Sequence, residues 1–182
     1  MIKNLPDYLS KKILDNSVAK DLKIAIDEWY IYDCKENYIS DKKCVCNKEK
    51  VKYCFSLKNS HNDKIITPIC SSCLKKLGRD DFKEQILIYE QMFEILNDEK
   101  EKRFINLEYF SRKFLFFLYD NGAFKPTKYN KFDGKKDYLF LLEMFNKKSK
   151  PTEIENKKIK GIIFYSVIPF VKTEIKKKSI FI

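Results

Sequence analysis

The arrangement of the cysteines limits the possible structures of this chain more than any other sequence feature. Cys44 and Cys46 form a C-x-C pair, and Cys70 and Cys73 form a C-x-x-C pair. Two cysteines one or two residues apart lie on a tight turn, and two such turns supply the four thiolates of a tetrahedral structural zinc site. We therefore predict that these four cysteines bind one structural Zn²⁺ ion.

Three other residues are possible ligands. Cys34 lies in an apolar segment and is expected to be a core residue, because free cysteine behaves as a small apolar side chain. Cys54 lies on the strand face that points toward the predicted zinc site, and His61 lies in a polar turn. Either Cys54 or His61 remains an alternative to Cys70 as the fourth ligand.

The segment between the two cysteine pairs has the pattern of a β-hairpin. Apolar and polar residues alternate over 51–58, which predicts a strand. A polar turn at 59–63 and a second apolar run at 64–69 complete the hairpin, and a helical pattern begins at Ser71. A further strand is predicted at 29–34, where aromatic and β-branched residues are concentrated.

Helical periodicity dominates the rest of the chain. Thr152 and Glu155 fit a capping box, which predicts a helix over 154–168. The β-branched and aromatic residues at 162–165 leave a strand possible there, and the tail from Lys172 onward is expected to be frayed. The predicted fold class is α+β, with N-terminal helices and a treble-clef-like zinc hairpin in residues 1–79. Residues 80–182 are predicted to form a larger helical domain with a basic C-terminal third.

Several motifs around the cysteines resemble a known group of small zinc modules. The group's pattern runs from an E-W pair through C-x-C-G and a hairpin to G-S-x-C-I-K-K-F. The matching residues are Glu28-Trp29, Cys44–Asn47 and Ser71–Leu77. This chain resembles the modules of that pattern in bacterial mobile elements, phages and large DNA viruses. The resemblance covers about 50 residues and implies a zinc-binding module without implying a reaction.

Two positions depart from that pattern. Asn47 stands where the pattern has glycine, which is compatible because asparagine also enters the left-handed region. Cys70 likewise stands in place of a glycine, so the pattern itself does not supply the fourth ligand.

Positive charge is concentrated in two parts of the chain. The net charge is +11, residues 41–79 carry ten basic and three acidic side chains, and residues 121–182 carry fifteen and six. This asymmetry indicates a polyanionic or acidic partner, although a merely solvated lysine surface would give the same composition. The candidate nucleic-acid contacts of the zinc segment are Lys48, Lys50, Lys52, Lys75, Lys76 and Arg79.

Sequence signatures of catalysis are weak, and no catalytic residue is predicted. Phosphate-binding glycine loops and serine-nucleophile motifs are absent, and there is one histidine. A zinc ion with four cysteine ligands leaves no position for a reactive water. The acidic cluster of Asp80, Asp81 and Glu84, with Lys83, could belong to a metal-dependent nuclease, but helix capping explains it better.

The predicted function is therefore that of a non-enzymatic, zinc-stabilised binding protein directed at nucleic acid or nucleoprotein. The alternative is a protein-binding inhibitor or adaptor from a mobile element or phage, such as an anti-defence or anti-CRISPR-like factor. A metal-dependent nuclease is a weaker alternative. No apolar run approaches the roughly 20 residues of a membrane span, so an intracellular, cytoplasmic location without membrane contact is expected.

Overall fold

A computed structural model describes residues 5–37 and 42–179. The chain divides into two compact units, Met1–Ile86 with Lys178–Ile182, and Leu87–Lys177. The fold class is α+β with a small antiparallel sheet, as the sequence predicts. Within the described residues, none of the helices has a stretch long and apolar enough to cross a bilayer.

The first unit combines short helices with one sheet. The sheet has three antiparallel strands in the order β1-β2-β3, so the predicted hairpin gains β1 as a third strand. Its elements in chain order are α1 (Asp7–Asn16), α2 (Leu22–Asp27), β1 (Trp29–Glu36), β2 (Tyr53–Asn59), β3 (Ile65–Ile69) and α3 (Ser71–Lys76). The hairpin therefore leads directly from one cysteine pair to the other.

The core of the first unit is formed by buried side chains from α1 and from the sheet. Trp29, Phe55 and the α1 residues Leu9 and Ile13 are almost completely buried. The indole N–H of Trp29 donates a hydrogen bond of 2.8 Å to the hydroxyl of Ser17, which lies just beyond α1. Burial of an aromatic ring with its polar atom satisfied is strongly stabilising. Trp29 thus fixes α1 to the beginning of the sheet.

Glu28 makes a second connection between the N-terminal segment and the sheet. Its buried carboxylate accepts hydrogen bonds from the backbone N–H groups of Val18, at 2.9 Å, and Ala19, at 2.7 Å, and from the Asn59 side chain at 2.6 Å. Burial by itself raises the pKa of Glu28, but these three hydrogen bonds outweigh it and hold the pKa below its ordinary value. The Glu-Trp pair of the sequence motif therefore has a structural role in this chain.

The second unit is helical. After α4 (Asp80–Lys100), which begins in the first unit, it contains α5 (Arg112–Asp120), α6 (Gly134–Asn146), α7 (Glu153–Ile162) and α8 (Ile168–Ser179). A π-helical segment, Ile163–Val167, connects α7 to α8. The two possibilities for 154–168 are thereby resolved in favour of helix.

Local capping explains why the β-branched run is helical. The Glu155 N–H donates to the Thr152 hydroxyl, and the Thr152 N–H donates to the Glu155 carboxylate. This capping box and the apolar face behind it outweigh the weak strand preference of 162–165. The expectation of a frayed tail from Lys172 is wrong for the described residues, because α8 continues to Ser179 and the Lys172 ammonium pairs with Glu99.

Gly134 and Gly161 allow a matched stability test in the second unit. A Cβ atom at Gly134 would overlap the backbone carbonyl of Phe124, whereas a Cβ at Gly161 meets no atom within 4 Å. We expect Gly134→Ala to lower the free energy of unfolding by about 1–3 kcal/mol through overpacking. Gly161→Ala should raise it by up to about 1 kcal/mol, because alanine is the better helix former. Chemical denaturation measures both changes, and equal effects would contradict the packing described here.

Candidate metal centre

The structure brings together the four cysteines that the sequence predicts as ligands. The sulfur atoms of Cys44, Cys46, Cys70 and Cys73 all lie within 4.8 Å of one another, and those of Cys44 and Cys73 are 3.7 Å apart. All four are free thiols. Among the described residues this is the one group of histidine, cysteine and carboxylate side chains that could hold a metal ion.

The first pair lies on a tight turn that precedes β2. The Asn47 N–H donates to the Cys44 carbonyl at 2.7 Å, and the Cys44 N–H donates to the Lys48 carbonyl at 3.0 Å. The turn closes because Asn47 adopts a left-handed conformation with φ of 63°, which asparagine tolerates better than most residues. The Val45 N–H donates to the carbonyl of Pro68, so the turn is fixed to β3.

The second pair lies at the beginning of α3. Cys70 is the N-cap residue, and its carbonyl accepts the N–H groups of Cys73 and Leu74 at 3.0 and 3.2 Å. The Cys70 N–H donates to the sulfur of Cys44 at 3.2 Å. This hydrogen bond joins the two cysteine pairs across 26 residues of sequence, so the hairpin returns the second turn to the first.

Burial and hydrogen bonding act differently on the thiols. Burial raises the pKa of Cys44 to about 11, and it also raises that of Cys73. At Cys70, burial is outweighed by hydrogen bonds from the Ser72 hydroxyl and the Cys73 N–H, which lower the pKa to about 7. A bound cation would favour the thiolate form of all four ligands.

Tyr8 is a neighbour of the cluster that the sequence did not reveal. Its hydroxyl lies 3.4 Å from the Cys73 sulfur, and burial together with this contact raises the pKa of Tyr8. Tyr8 is on α1, 65 residues from Cys73 in sequence, and its local pattern shows only an amphipathic helix. A contact of this kind can be recognised only once the helix is packed against the cluster.

The alternative ligands lie outside the cluster. His61 is exposed in the hairpin turn, where its N–H donates to the Asn59 side chain at 2.8 Å. Cys54 is buried in β2 opposite Lys35 of β1, and Cys34 is buried in β1. The geometry therefore supports Cys70 as the fourth member of the site.

Five of the six candidate nucleic-acid contacts are exposed lysines. Lys48, Lys50 and Lys52 lie between the first cysteine turn and β2, and Lys75 and Lys76 lie on α3 directly after the last cysteine. The ammonium group of Lys52 is 4.9 Å from the centre of the neighbouring tyrosine ring. Both segments that carry the cysteines therefore also carry exposed positive charge.

Arg79, the sixth candidate, has a different environment. Its guanidinium donates to the backbone carbonyls of Ile26, at 3.1 Å, and Trp29, at 2.5 Å, and it pairs with the Asp81 carboxylate at 2.6 Å. These contacts join the end of α2 and the start of β1 to Arg79, the residue directly before α4. Arg79 stabilises the first unit, and we do not include it in the lysine surface proposed below.

Two carboxylates of the acidic cluster that was considered as a nuclease site take part in ion pairs. Asp81 pairs with Arg79, and the pairing lowers the pKa of the Asp81 carboxyl. Asp80 pairs with Lys83 at 2.7 Å. These interactions account for both carboxylates as parts of the α4 N-terminus.

No protein-family model, curated protein or solved structure matches this chain. The resemblance to zinc modules of mobile elements, phages and large DNA viruses stays a prediction from sequence motifs.

Proposed function

We propose that the four cysteines bind Zn²⁺ and that the ion stabilises the first unit. Zinc prefers a tetrahedron of sulfur ligands with bonds of about 2.3 Å, which places the sulfurs about 3.8 Å apart. The separation of 3.7 Å between the Cys44 and Cys73 sulfurs matches that arrangement. Four thiolate ligands complete the coordination of the ion, so the proposed role is structural.

We further propose that the chain is a non-enzymatic binding protein whose lysine surface contacts nucleic acid or nucleoprotein. The lysine surface consists of Lys48, Lys50, Lys52, Lys75 and Lys76. The observation that supports this function is the presence of exposed lysines on both segments that carry the cysteines. A metal ion that joins the two segments would hold these charges in a fixed arrangement.

The chemistry of the lysine surface favours phosphates over bases. Lysine is a compact, flexible cation suited to phosphate contacts, whereas arginine forms the bidentate contacts that distinguish bases. Arg79, the one arginine of the first unit, is held by contacts within the chain. The proposed binding therefore depends on salt and discriminates little between sequences.

Replacement of Lys75 and Lys76 by alanine tests this function. Each lost phosphate contact should weaken binding about equally across sequences and reduce the slope of log K against log salt by about one unit. Fluorescence anisotropy with labelled duplex DNA, single-stranded DNA and RNA at two salt concentrations measures the change. Lys23→Ala, which removes an exposed lysine from α2, is the control and should leave the slope unchanged.

The absence of binding to all three nucleic acids at low salt would contradict the proposal. The protein-directed inhibitor or adaptor would then be the better hypothesis. A pull-down from the native host with and without nuclease treatment separates the two, because a protein partner is retained after the nucleic acid is removed.

A further inference from the structure

The second unit contains a large cavity that the sequence analysis did not anticipate. Its volume is about 1140 Å³, above the roughly 300–1000 Å³ of typical small-molecule sites. The wall is formed by the segment after α5, by Asp137 of α6, by α7, by the π-helical segment and by α8 as far as Lys177. All of these residues belong to the second unit, whereas the cysteines of the metal centre belong to the first.

Two tyrosines of the cavity wall have unusually exposed rings. Tyr129 is 84% exposed and Tyr165 is 78% exposed, and both line the cavity. Within the chain, the Lys128 ammonium lies 5.1 Å from the centre of the Tyr129 ring and Phe164 packs edge-on against Tyr165. The remaining exposed part of each ring is available for a ligand in a concave site. A flat ligand can stack on such a ring, and stacking on tyrosine accepts any nucleobase.

The same cavity carries positive charge. Lys125, Lys158 and Lys177 line it, together with the acidic side chains Asp137 and Glu174. Both acidic groups have partners, because Glu174 pairs with Lys177 at 2.7 Å and Asp137 accepts a hydrogen bond from a buried asparagine. Within the part of the chain that the structure describes, no carboxylate pairs with Lys125 or Lys158, and the Lys158 ammonium lies 4.0 Å from the centre of a phenylalanine ring.

Gly161 leaves space in the cavity next to the tyrosine and lysine side chains. Gly161 lines the cavity, and a Cβ at this position would meet no atom within 4 Å. The π-helical segment that presents Tyr165 and Ser166 begins two residues later, and such segments are frequent at functional sites. A ligand can therefore approach the α7 backbone closely at Gly161.

We propose that this cavity binds a nucleotide unit, with the base stacked on Tyr129 or Tyr165 and the phosphate held by Lys125 and Lys158. Exposed aromatic rings next to lysines are the combination with which proteins bind unpaired nucleotides. The unit can come from single-stranded nucleic acid or from a free nucleotide, since both offer the same chemistry. The proposal does not depend on the lysine surface of the first unit.

Variants of the full-length protein test this site. Anisotropy with labelled dT12 and rU12, and calorimetric titration with AMP and TMP, distinguish the two sources of the nucleotide unit. Loss of one stacking ring should weaken binding about 5- to 100-fold, so Tyr165→Ala and Tyr129→Ala should reduce affinity while Tyr165→Phe retains it. Phe132→Ala is the control, because Phe132 is 74% exposed in the same unit and does not line the cavity.

Two further variants separate binding from folding. Gly161→Leu should fill the cavity and abolish nucleotide binding while leaving the melting temperature unchanged or higher. Lys158→Ala should weaken binding, whereas Lys157→Ala, which alters a neighbouring exposed lysine outside the cavity wall, should not. The proposal is overturned if neither oligonucleotides nor nucleotides bind, or if the tyrosine and Gly161 variants bind as well as the unaltered protein.

Discussion

Cys73→Ser is expected to release the metal ion and to unfold the sheet of the first unit. The Cys73 sulfur is buried within the cluster and lies against Tyr8 and Cys44. The apparent binding free energy of structural zinc is about 10–16 kcal/mol, which is comparable with the whole stability of a small domain, about 5–15 kcal/mol. Elemental analysis should show one zinc per unaltered chain and clearly less in the variant.

Cys34→Ser is the matched control, because Cys34 is also buried but lies in β1 outside the cluster. It should leave the zinc content unchanged. Treatment of the unaltered protein with a chelator should abolish amide protection in β2 and β3. A metal-free preparation with unchanged protection would contradict the assignment of the site.

The helices of the second unit should survive removal of the metal. Their apolar positions, which include Phe114, Leu118 and Leu141, form a core within that unit. Most of the helical signal in far-ultraviolet circular dichroism should therefore persist after chelation. Cooperative unfolding of the whole chain would show that the two units are not stable independently.

The second large effect is expected at Glu28. Glu28→Ala removes the acceptor of three hydrogen bonds and leaves the buried Asn59 amide and the part-buried N–H groups of Val18 and Ala19 without their partner. An unsatisfied buried donor costs about 1–3 kcal/mol and a donor that water can reach costs less, so the free energy of unfolding should fall by about 2–4 kcal/mol. Chemical denaturation measures this change. Glu49→Ala, which removes an exposed carboxylate paired with Lys43, should change stability by less than about 1 kcal/mol.

Acidification of the unaltered protein should reproduce part of the loss of stability expected for Glu28→Ala. The folded-state pKa of Glu28 lies below its ordinary value of 4.5. The carboxylate therefore stabilises the fold fully above that ordinary value, and the stabilisation is lost as pH falls through the folded-state pKa. Between neutral pH and pH 3, Glu28→Gln should lose less stability than the unaltered protein. Equal losses in the two proteins would show that Glu28 does not titrate in the way described.

Local sequence patterns were sufficient for much of the fold. Three patterns each depend on residues a few positions apart: the cysteine spacing, the alternation of apolar and polar residues before Lys58, and the capping box at Thr152. The structure contains the turn, the strand and the helix that these patterns predict. The contacts that give Arg79 and Tyr8 their roles span 50 or more residues. Such contacts depend on how elements pack, which no local pattern encodes.

The cavity of the second unit shows that local sequence patterns also fail to predict which residues form a candidate binding site. The helical spacing of the aromatic residues of 109–119 favours a core role over a base-stacking surface, and Phe110 and Phe114 of that stretch are buried while Phe116 is 54% exposed. The cavity wall contains two exposed rings, those of Tyr129 and Tyr165, which are 36 positions apart in sequence. Composition indicates that aromatic and basic residues are plentiful, whereas only the fold determines which of them remain accessible.

The unequal exposure of the four sulfurs has a kinetic consequence. Cys44, Cys70 and Cys73 are buried, while Cys46 is partly open to solvent. In the proposed zinc-bound form, an incoming chelator or oxidant would meet Cys46 first, and detachment of this one ligand would control how fast the metal exchanges. Lys48 lies two residues away on the exposed side of the turn, so its charge attracts anionic chelators to the point where the site opens.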